Sequence, residues 1–299
     1  MQSAAPGSGT LALQETEKTD TGHYIGGFME EYAVRIRNLS KNYKVYRKNG
    51  QRLRGVLFGS DKGITKEALK DITLGIRKGE CIAVVGNVGS GRTTLAKIIA
   101  GIVFQSSGSL KVDGKIQSMF DLRAGFDMEL TGRENIFVKG GMLGWTGREI
   151  KEREADIIEY AEMENVIDHQ LRTYTQGLGA RLGFSMLVAR KPEILVIDNP
   201  LVVGDRVFRE KMIKTLEAFA HDKDVTIIIV TNDIVLAKRL CTRAVVLEKG
   251  KIEFDGSPEA AIMYYRRNFR NDIKESVRSE NDSFSQTGDD TDDDYDLEF

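Results

Sequence analysis

The residues best able to do chemistry lie between Glu80 and Ile102. An apolar run at 81–85 precedes a glycine-rich turn at 86–91, and residues 94–102 have the spacing of a helix. A strand, a glycine loop and a helix in this order are the context that a phosphate-binding loop requires, because backbone N–H groups at the helix start then face an anion. The sequence therefore predicts phosphate binding at this turn.

One residue of the turn departs from the usual pattern. The spacing G-x-x-x-x-G-K-[ST] is met at Gly86, Gly91 and Thr93, but Arg92 stands where lysine is expected. Arginine keeps the charge, yet its planar guanidinium is bulkier than an ammonium and is not a conservative replacement in a tight site. The turn alone is thus compatible with an altered nucleotide site or with a chance loop. Other stretches of the sequence are needed to distinguish the two.

Three further stretches have residue types that suit phosphate chemistry. The apolar run ILVIDNPLVVGD delivers Asp198 at its end, where a phosphate-loop enzyme needs an acid to hold magnesium. The stretch TYTQGLGARLGF has a glycine-containing turn that opens an apolar helix, and in VTNDIVLAKRLC a buried strand is followed at once by polar residues. Together with the glycine turn they form one ordered set.

Composition limits the class of protein. The chain has 299 residues, 41% of them hydrophobic and 29% charged, with a net charge of −2, so it offers no overall argument for binding nucleic acid. Two cysteines, Cys81 and Cys241, indicate a reduced compartment more than a disulfide scaffold. We see no apolar run near the roughly 18 residues that cross a bilayer and no secretory signal, so we expect any membrane role to come through a partner.

The elements that must position these residues alternate between strand and helix. Near-continuous β-branched runs at 194–198, 225–231 and 243–250 predict strands buried on both faces, hence an α/β fold with a parallel core sheet and flanking helices. Strands are also expected from Tyr32 and from Ala68. The Asp113-Gly114 pair predicts a hairpin over 108–120.

The division of the chain follows from changes in pattern. Residues 1–30 are small and polar and are predicted to be disordered, residues 31–266 to form the main domain, and the acidic tail 267–299 to be disordered. Helices are expected from Leu130 to about Leu171, where Thr131 and Glu134 form a capping-box signature, and we place a helical subdomain near 130–190. The basic segment Arg47–Phe58 suits a short amphipathic helix that contacts a membrane partner or lipid, or simply a solvated face.

The four stretches, in order and spacing, are similar to the nucleotide-binding subunit of ABC transporters. MFDLRAGFDMELTGRENIF, YTQGLGARLGF, IDNPLVVGD and the insertion after Tyr43 resemble the polysaccharide-export branch, whose ATPase subunits export O-antigen, capsule and teichoic acid polymers. The resemblance covers about residues 32–266. It implies a P-loop NTPase fold of ABC type, with a parallel core sheet, an antiparallel β subdomain and a helical subdomain.

The resemblance also implies site residues. Tyr43 matches the aromatic that stacks on adenine, and Asp205 matches the aspartate that couples two subunits. Magnesium would be held by Thr93 and Asp198. The phosphates of ATP would be bound by Gly86, Asn87, Gly89, Ser90, Gly91, Arg92, Thr93 and Thr94. The signature motif, which reaches across a dimer to the partner's γ-phosphate, would comprise Thr175, Gln176 and Gly177.

Several positions differ from the family pattern. Besides Arg92, Asn199 replaces the glutamate that activates water, and an amide cannot accept the proton, so general-base help of about 10²–10⁴-fold should be missing. Asn232 replaces a histidine at the γ-phosphate and cannot carry its positive charge. No glutamine follows the 111–120 stretch, where Asp121 and Leu122 lie nearest, and Gln176 is larger than the usual signature residue. We therefore expect a site that binds ATP but hydrolyses it poorly.

The function implied by the resemblance is that of a cassette dimer, homodimeric or paired with a conventional ATPase subunit. It would clamp ATP and Mg²⁺ on the cytoplasmic face of the membrane and drive a permease that exports a lipid-linked polysaccharide or cell-wall polymer. The alternative is a catalytically inactive nucleotide-binding scaffold that regulates a membrane complex. A soluble ABC factor of ribosomes or DNA repair fits less well, since such proteins usually carry two cassettes or a coiled-coil insert.

Overall fold

The computed structural model of this chain describes residues 31–45, 64–198 and 205–268. The predicted disordered ends, 1–30 and most of 267–299, lie outside this part, as do the segment Arg47–Phe58 and Asn199. Among the described helices, none combines the length and the apolar character needed to cross a bilayer.

A three-stranded antiparallel sheet contains the N-terminal strands. Strand β1 (Tyr32–Val45) pairs with β2 (Ile64–Arg77) on one side and with β4 (Ser107–Val112) on the other. The strand predicted from Tyr32 is confirmed, and β2 begins four residues before the predicted Ala68. Alternating apolar residues of β1, Val34 and Ile36 among them, are buried beneath this sheet, as a period of two requires.

A six-stranded sheet forms the centre of the protein and confirms the predicted parallel core. Its order is β5 (Ile116–Met119), β6 (Ile194–Asp198), β7 (Thr226–Val230), β3 (Cys81–Val85), β8 (Arg243–Glu248) and β9 (Lys251–Gly256). The first five strands are parallel and β9 is antiparallel.

Strand β3 shows why the core strands are apolar throughout. All five of its residues are buried, and they alternate between two clusters. Cys81, Ala83 and Val85 pack on one face of the sheet, and Ile82 and Val84 pack on the face toward the antiparallel sheet. Because each fully buried aliphatic side chain contributes about 1.5–3 kcal/mol, both faces hold the strand at the middle of the molecule.

The predicted hairpin over 108–120 is wrong. Strand β4 pairs with β1 in the antiparallel sheet, whereas β5 pairs in parallel with β6 in the central sheet. The Asp113-Gly114 pair marks a crossing between sheets: the Asp113 N–H donates to the Ala33 carbonyl, and the Ile194 N–H donates to the Lys115 carbonyl two residues later. Turn chemistry predicts a bend and does not specify which strand each arm will pair with.

Seven α-helices and a short 3-10 helix (Leu171–Thr173) complete the described part. The α-helices are α1 (Arg92–Ile99), α2 (Gly132–Met142), α3 (Gly147–Ala161), α4 (Gln176–Val188), α5 (Arg206–Ala220), α6 (Ile234–Leu240) and α7 (Pro258–Asn268). Helix α1 ends at Ile99, three residues before the predicted end, and Gly101 follows with a φ of +72°. Helix α7 runs to Asn268, two residues past the predicted end of the domain.

Helices α2, α3 and α4 share a core of their own. Trp145, Ile157 and Leu182 are among the side chains buried there. The capping box predicted at Thr131 is present, since its hydroxyl accepts from the Glu134 N–H while the Glu134 carboxylate accepts from the Thr131 N–H. Thr146 and Glu149 form a second capping box that starts α3.

Candidate nucleotide-binding site

The loop between β3 and α1 has a backbone that only glycine can adopt. Gly86 and Gly91 have φ values of +154° and +106°. A Cβ on Gly86 would lie 2.0 Å from the Leu247 carbonyl oxygen, and one on Gly91 would lie 2.5 Å from the Ala68 carbonyl oxygen. Backbone therefore packs directly against backbone at Gly86 and Gly91, which fixes the path of the chain at the two ends of the loop.

The start of α1 presents donors that an anion could accept. Gly91 is the N-cap residue, and no side chain caps this end; the first turn has no acidic residue. The first N–H groups of a helix have no partner within the helix and attract negative charge. Thr93 is exposed beside them. This end of α1 thus has the geometry of a phosphate site.

Two buried atoms at this edge of the sheet have no hydrogen-bond partner among the described residues. Buried polar atoms are nearly always hydrogen-bonded, so each exception asks for an explanation. Among the described residues, four side-chain atoms are buried and unpaired: Ser90 Oγ, Asp198 Oδ1, Gln117 Oε1 and Glu248 Oε2. Ser90 is in the glycine loop, and Asp198 ends β6. A hydroxyl fits a phosphate and a carboxylate fits a divalent cation, so these two residues fit a metal–nucleotide ligand.

Arg92 is held inside the protein by two acceptors. One guanidinium nitrogen, Nη1, donates to the Thr231 carbonyl at 3.0 Å and to Asn232 Oδ1. Burial lowers the pKa of Arg92, and the negative charge of Asp198 opposes that effect. The guanidinium nevertheless stays protonated, as arginine side chains do in proteins. Two of the departures from the family pattern, at 92 and 232, are therefore in direct contact.

The predicted signature residues lie at the start of α4. Thr175 is its N-cap and accepts from the Leu178 N–H at 3.3 Å, and Gln176 and Gly177 form its first turn. These residues border a cleft of about 590 Å³ whose other walls include Asp121, Leu122, Arg123, Asp198 and Asp205. The structure thus gathers the residues nearest the missing glutamine, the end of β6 and the signature turn around one space.

Asp205 is engaged within its own chain. It is the N-cap of α5, where Oδ1 accepts from the N–H groups of Val207 and Phe208, each at 2.9 Å. Its other oxygen, Oδ2, pairs with the Arg181 guanidinium from α4, which also donates to Glu162 at 3.3 Å. This aspartate therefore joins the signature helix to α5. The sequence signals the aspartate but not its partner.

The roles of two further predicted residues, Tyr43 and Asn199, stay predictions. Tyr43 lies on β1 opposite Lys66, with the Lys41 ammonium 5.0 Å from its ring centroid. Its role in stacking on adenine stays a prediction, as does the role of Asn199, which lies outside the described part.

The sequence gives no signal for Tyr265, which the structure adds to the site. Its hydroxyl, on α7, donates to Asn87 Oδ1 in the glycine loop. The ring borders a cavity of about 20 Å³ together with Gly86 and Asn232. Neither spacing nor composition connects residues 178 positions apart.

A parallel sheet with a glycine loop after β3, an uncapped helix after the loop and an unpaired aspartate at the end of β6 defines the P-loop nucleotide-binding class. The family profile described as ABC transporter matches residues 69–202. The O-antigen export system ATP-binding protein RfbB of Klebsiella pneumoniae is 35% identical over 243 residues, which cover 79% of this chain and 98% of that protein. The chain therefore belongs to the ABC transporter ATP-binding family, whose cassettes bind nucleotide.

Other relatives agree with this assignment. The teichoic acids export ATP-binding protein TagH of Lactococcus lactis is 39% identical over 213 residues, 71% of this chain and 45% of that longer protein. Among solved structures, the dimeric ATP-binding cassette MJ0796 bound to ADP and Pi has a TM-score of 0.61 at 23% identity, covering 75% of this chain and 98% of that one. The latter similarity shows the fold.

Proposed function

We propose that this chain is the ATP-binding subunit of an exporter of lipid-linked polysaccharide or cell-wall polymer, and that its own site hydrolyses ATP weakly. The observation that carries the nucleotide part is the pair of buried, unpaired atoms, Ser90 Oγ and Asp198 Oδ1, beside an uncapped helix start. The export part rests on relatives named for O-antigen and teichoic acid export.

The residues present fit ATP with Mg²⁺. The loop N–H groups from Gly86 to Thr93 and the Thr94 side chain would bind the phosphates, and the Thr93 hydroxyl and Asp198 would hold the metal. Magnesium, when bound, neutralises charge on the β- and γ-phosphates. Ser90 would gain the hydrogen bond that its buried hydroxyl lacks within the described chain.

Weak hydrolysis follows from what Arg92 and Asn232 do in the structure. The Arg92 guanidinium already donates to the Thr231 carbonyl and to Asn232, so less of its hydrogen-bonding capacity is available to a γ-phosphate. Asn232 carries no positive charge, and Asn199 cannot act as a base. Losing general-base help alone would slow hydrolysis about 10²–10⁴-fold.

The signature turn supports a role in a dimer. Thr175 caps α4, and Gln176 and Gly177 border the same cleft as Asp205. In a pair with a conventional subunit, this turn would complete the partner's site while the Arg92 site stays weak. Self-pairing would leave both sites altered.

The surroundings complete the proposal. A membrane permease would hold the dimer on the cytoplasmic face of the membrane, with Arg47–Phe58 as the candidate contact on this chain. We propose 31–266 as the cassette, with a helical subdomain near 130–190.

A second candidate is a nucleotide-binding scaffold that regulates a membrane complex without driving it. The hydrogen bond between Arg92 and Asn232 favours this second candidate, because two side chains expected at the γ-phosphate contact each other instead. Transport that survives disruption of Gly91 would support this candidate.

The test is a Mg-ATP titration followed by an ATPase assay of the purified chain, alone and with a candidate second ATPase subunit. We expect binding, negligible turnover alone, and turnover in the mixture that depends on Gly177 of this chain. Turnover by the chain alone at several per second, typical of enzymes, would contradict weak hydrolysis. Absence of nucleotide binding would contradict the proposal as a whole.

A further inference from the structure

We propose that Tyr265 is a positioning residue for the phosphate-binding loop, and that it raises nucleotide affinity by holding Asn87. The inference rests on the proposed nucleotide binding and adds a residue from α7 to that site. The contact that carries it is the hydrogen bond from the Tyr265 hydroxyl to Asn87 Oδ1.

Helix α7 is docked firmly enough to aim this hydroxyl. Ala261 on its inner face is buried in the core beside the central sheet. Tyr264 stacks on Phe254 of β9 with ring centroids 5.3 Å apart, and Glu259 pairs with Lys238 of α6 at 3.4 Å. Contacts on two sides therefore fix the rotation of α7, which points Tyr265 toward the loop.

Asn87 lies where the loop makes its turn. Its backbone carbonyl accepts from the Ser90 N–H at 3.1 Å, so the segment from 87 to 90 closes on itself. The preceding Gly86 packs against the Leu247 carbonyl. Gly86 thus fixes the entry of the loop through its backbone. Asn87, the first residue after that point with a side chain, is fixed by Tyr265.

Holding the loop in advance raises affinity for a physical reason. A segment that is already ordered loses less conformational freedom when a ligand binds, so less of the interaction energy is used for ordering. The ring of Tyr265 also borders the small cavity that Gly86 and Asn232 line. Replacing tyrosine by phenylalanine would keep this ring and remove the hydroxyl that donates to Asn87.

The experiment compares Tyr265→Phe with Tyr264→Phe, a matched change on the neighbouring residue of the same helix. Mg-ATP and Mg-ADP dissociation constants would be measured by calorimetric titration of the full chain, together with the melting temperature. We expect Tyr265→Phe to weaken both nucleotides about three- to tenfold, the range that one neutral hydrogen bond supplies. Tyr264→Phe should bind as wild type does.

A double-mutant cycle with Asn87→Ala shows whether Tyr265 acts through Asn87. We expect the double variant to bind nucleotide no more weakly than Asn87→Ala alone. In Asn87→Ala the hydrogen bond from Tyr265 is already lost, so adding Tyr265→Phe costs nothing more. Additive losses, or wild-type affinity in Tyr265→Phe, would overturn the inference and leave the proposed function intact. A wild-type chain that binds no nucleotide would overturn both.

Discussion

The phosphate-binding loop and the signature turn are held in place by different kinds of contact. In the loop, glycine backbone packs against the carbonyls of Leu247 and Ala68. Around the signature turn, side chains hold the backbone in place. Thr175 caps α4, and Asp205, which borders the same cleft, caps α5 and pairs with Arg181.

The difference explains which substitutions each region can accept. Because the loop takes its shape from backbone, Arg92 can replace lysine without altering the path of the chain. The signature turn has less freedom, since losing the Thr175 cap would cost about 1 kcal/mol at the start of α4. This chain can therefore carry Arg92 in its loop while Thr175 still caps the start of α4.

The largest effect is expected from changing Gly91 to alanine. A Cβ there would lie 2.5 Å from the Ala68 carbonyl oxygen, at a φ of +106°. Mg-ATP affinity should fall at least about 100-fold, since backbone clash adds to the 1–2 kcal/mol that left-handed geometry costs. Gly89→Ala is the control, because a Cβ there meets nothing within 4 Å at a φ of +82°. Equal losses in both variants, measured by titration, would mean that packing does not fix the loop.

The next largest effect is expected at Asp205, near the signature turn, where side chains hold the backbone in place. Asp205→Ala removes both the cap of α5 and the ion pair with Arg181, and should lower the free energy of unfolding by about 2 kcal/mol. Asp205→Asn keeps a capping oxygen and should lose less than about 1 kcal/mol, as expected for a part-exposed ion pair. Urea denaturation measures both, and identical losses would show that the cap contributes nothing.

A smaller effect is expected from coupling between Arg92 and Asn232. Asn232→His replaces the amide oxygen that accepts from the buried Arg92 guanidinium by an imidazole, which repels the guanidinium when protonated, and should weaken Mg-ATP binding about tenfold. Adding Arg92→Lys should recover most of that loss, giving a coupling of about 1 kcal/mol in the double-mutant cycle. If the two changes prove additive in titrations, the two positions act independently.

The smallest effect is a pH dependence in the helical region. Burial lowers the pKa of Lys139 to about 8, opposed by Asp121, and its ammonium donates to the Leu122 carbonyl at 2.6 Å. Between pH 8 and 10 the unfolded lysine holds its proton while the folded one releases it, so the unfolded state binds more protons and the free energy of unfolding rises with pH.

Between pH 8 and pH 9 the rise should be about 1 kcal/mol relative to Lys139→Met, which lacks the titrating group. Denaturation curves at pH 8, 9 and 10 measure it, and parallel pH profiles of the two proteins would contradict the lowered pKa. We expect no matching pH dependence from the phosphate-binding loop, because the Arg92 guanidinium stays protonated between pH 8 and 10.

Local signals in the sequence predict the elements better than their partners. The capping box at Thr131 and the strand at 194–198 depend on neighbours a few residues away, and both are confirmed. The hairpin at Asp113-Gly114 fails because pairing depends on β1 and β6, which are distant in the chain.

The same limit applies to the site. Spacing alone identifies Gly86, Gly91 and Asp198 as candidates, since their order along the chain carries the pattern. Contact between Arg92 and Asn232 and the approach of Tyr265 to Asn87 arise from folding and leave no periodic trace.

The position of β3 between β7 and β8 has a consequence for synthesis. Strand β3 ends at Val85, but its neighbours end at Val230 and Glu248, and the loop after it packs on the Leu247 carbonyl. Helices α2, α3 and α4 share a core drawn from residues 136–186, and α2 and α3 begin with their own capping boxes. A nascent chain can therefore fold its helical region early, but it gains a nucleotide site only after residue 247 has left the ribosome.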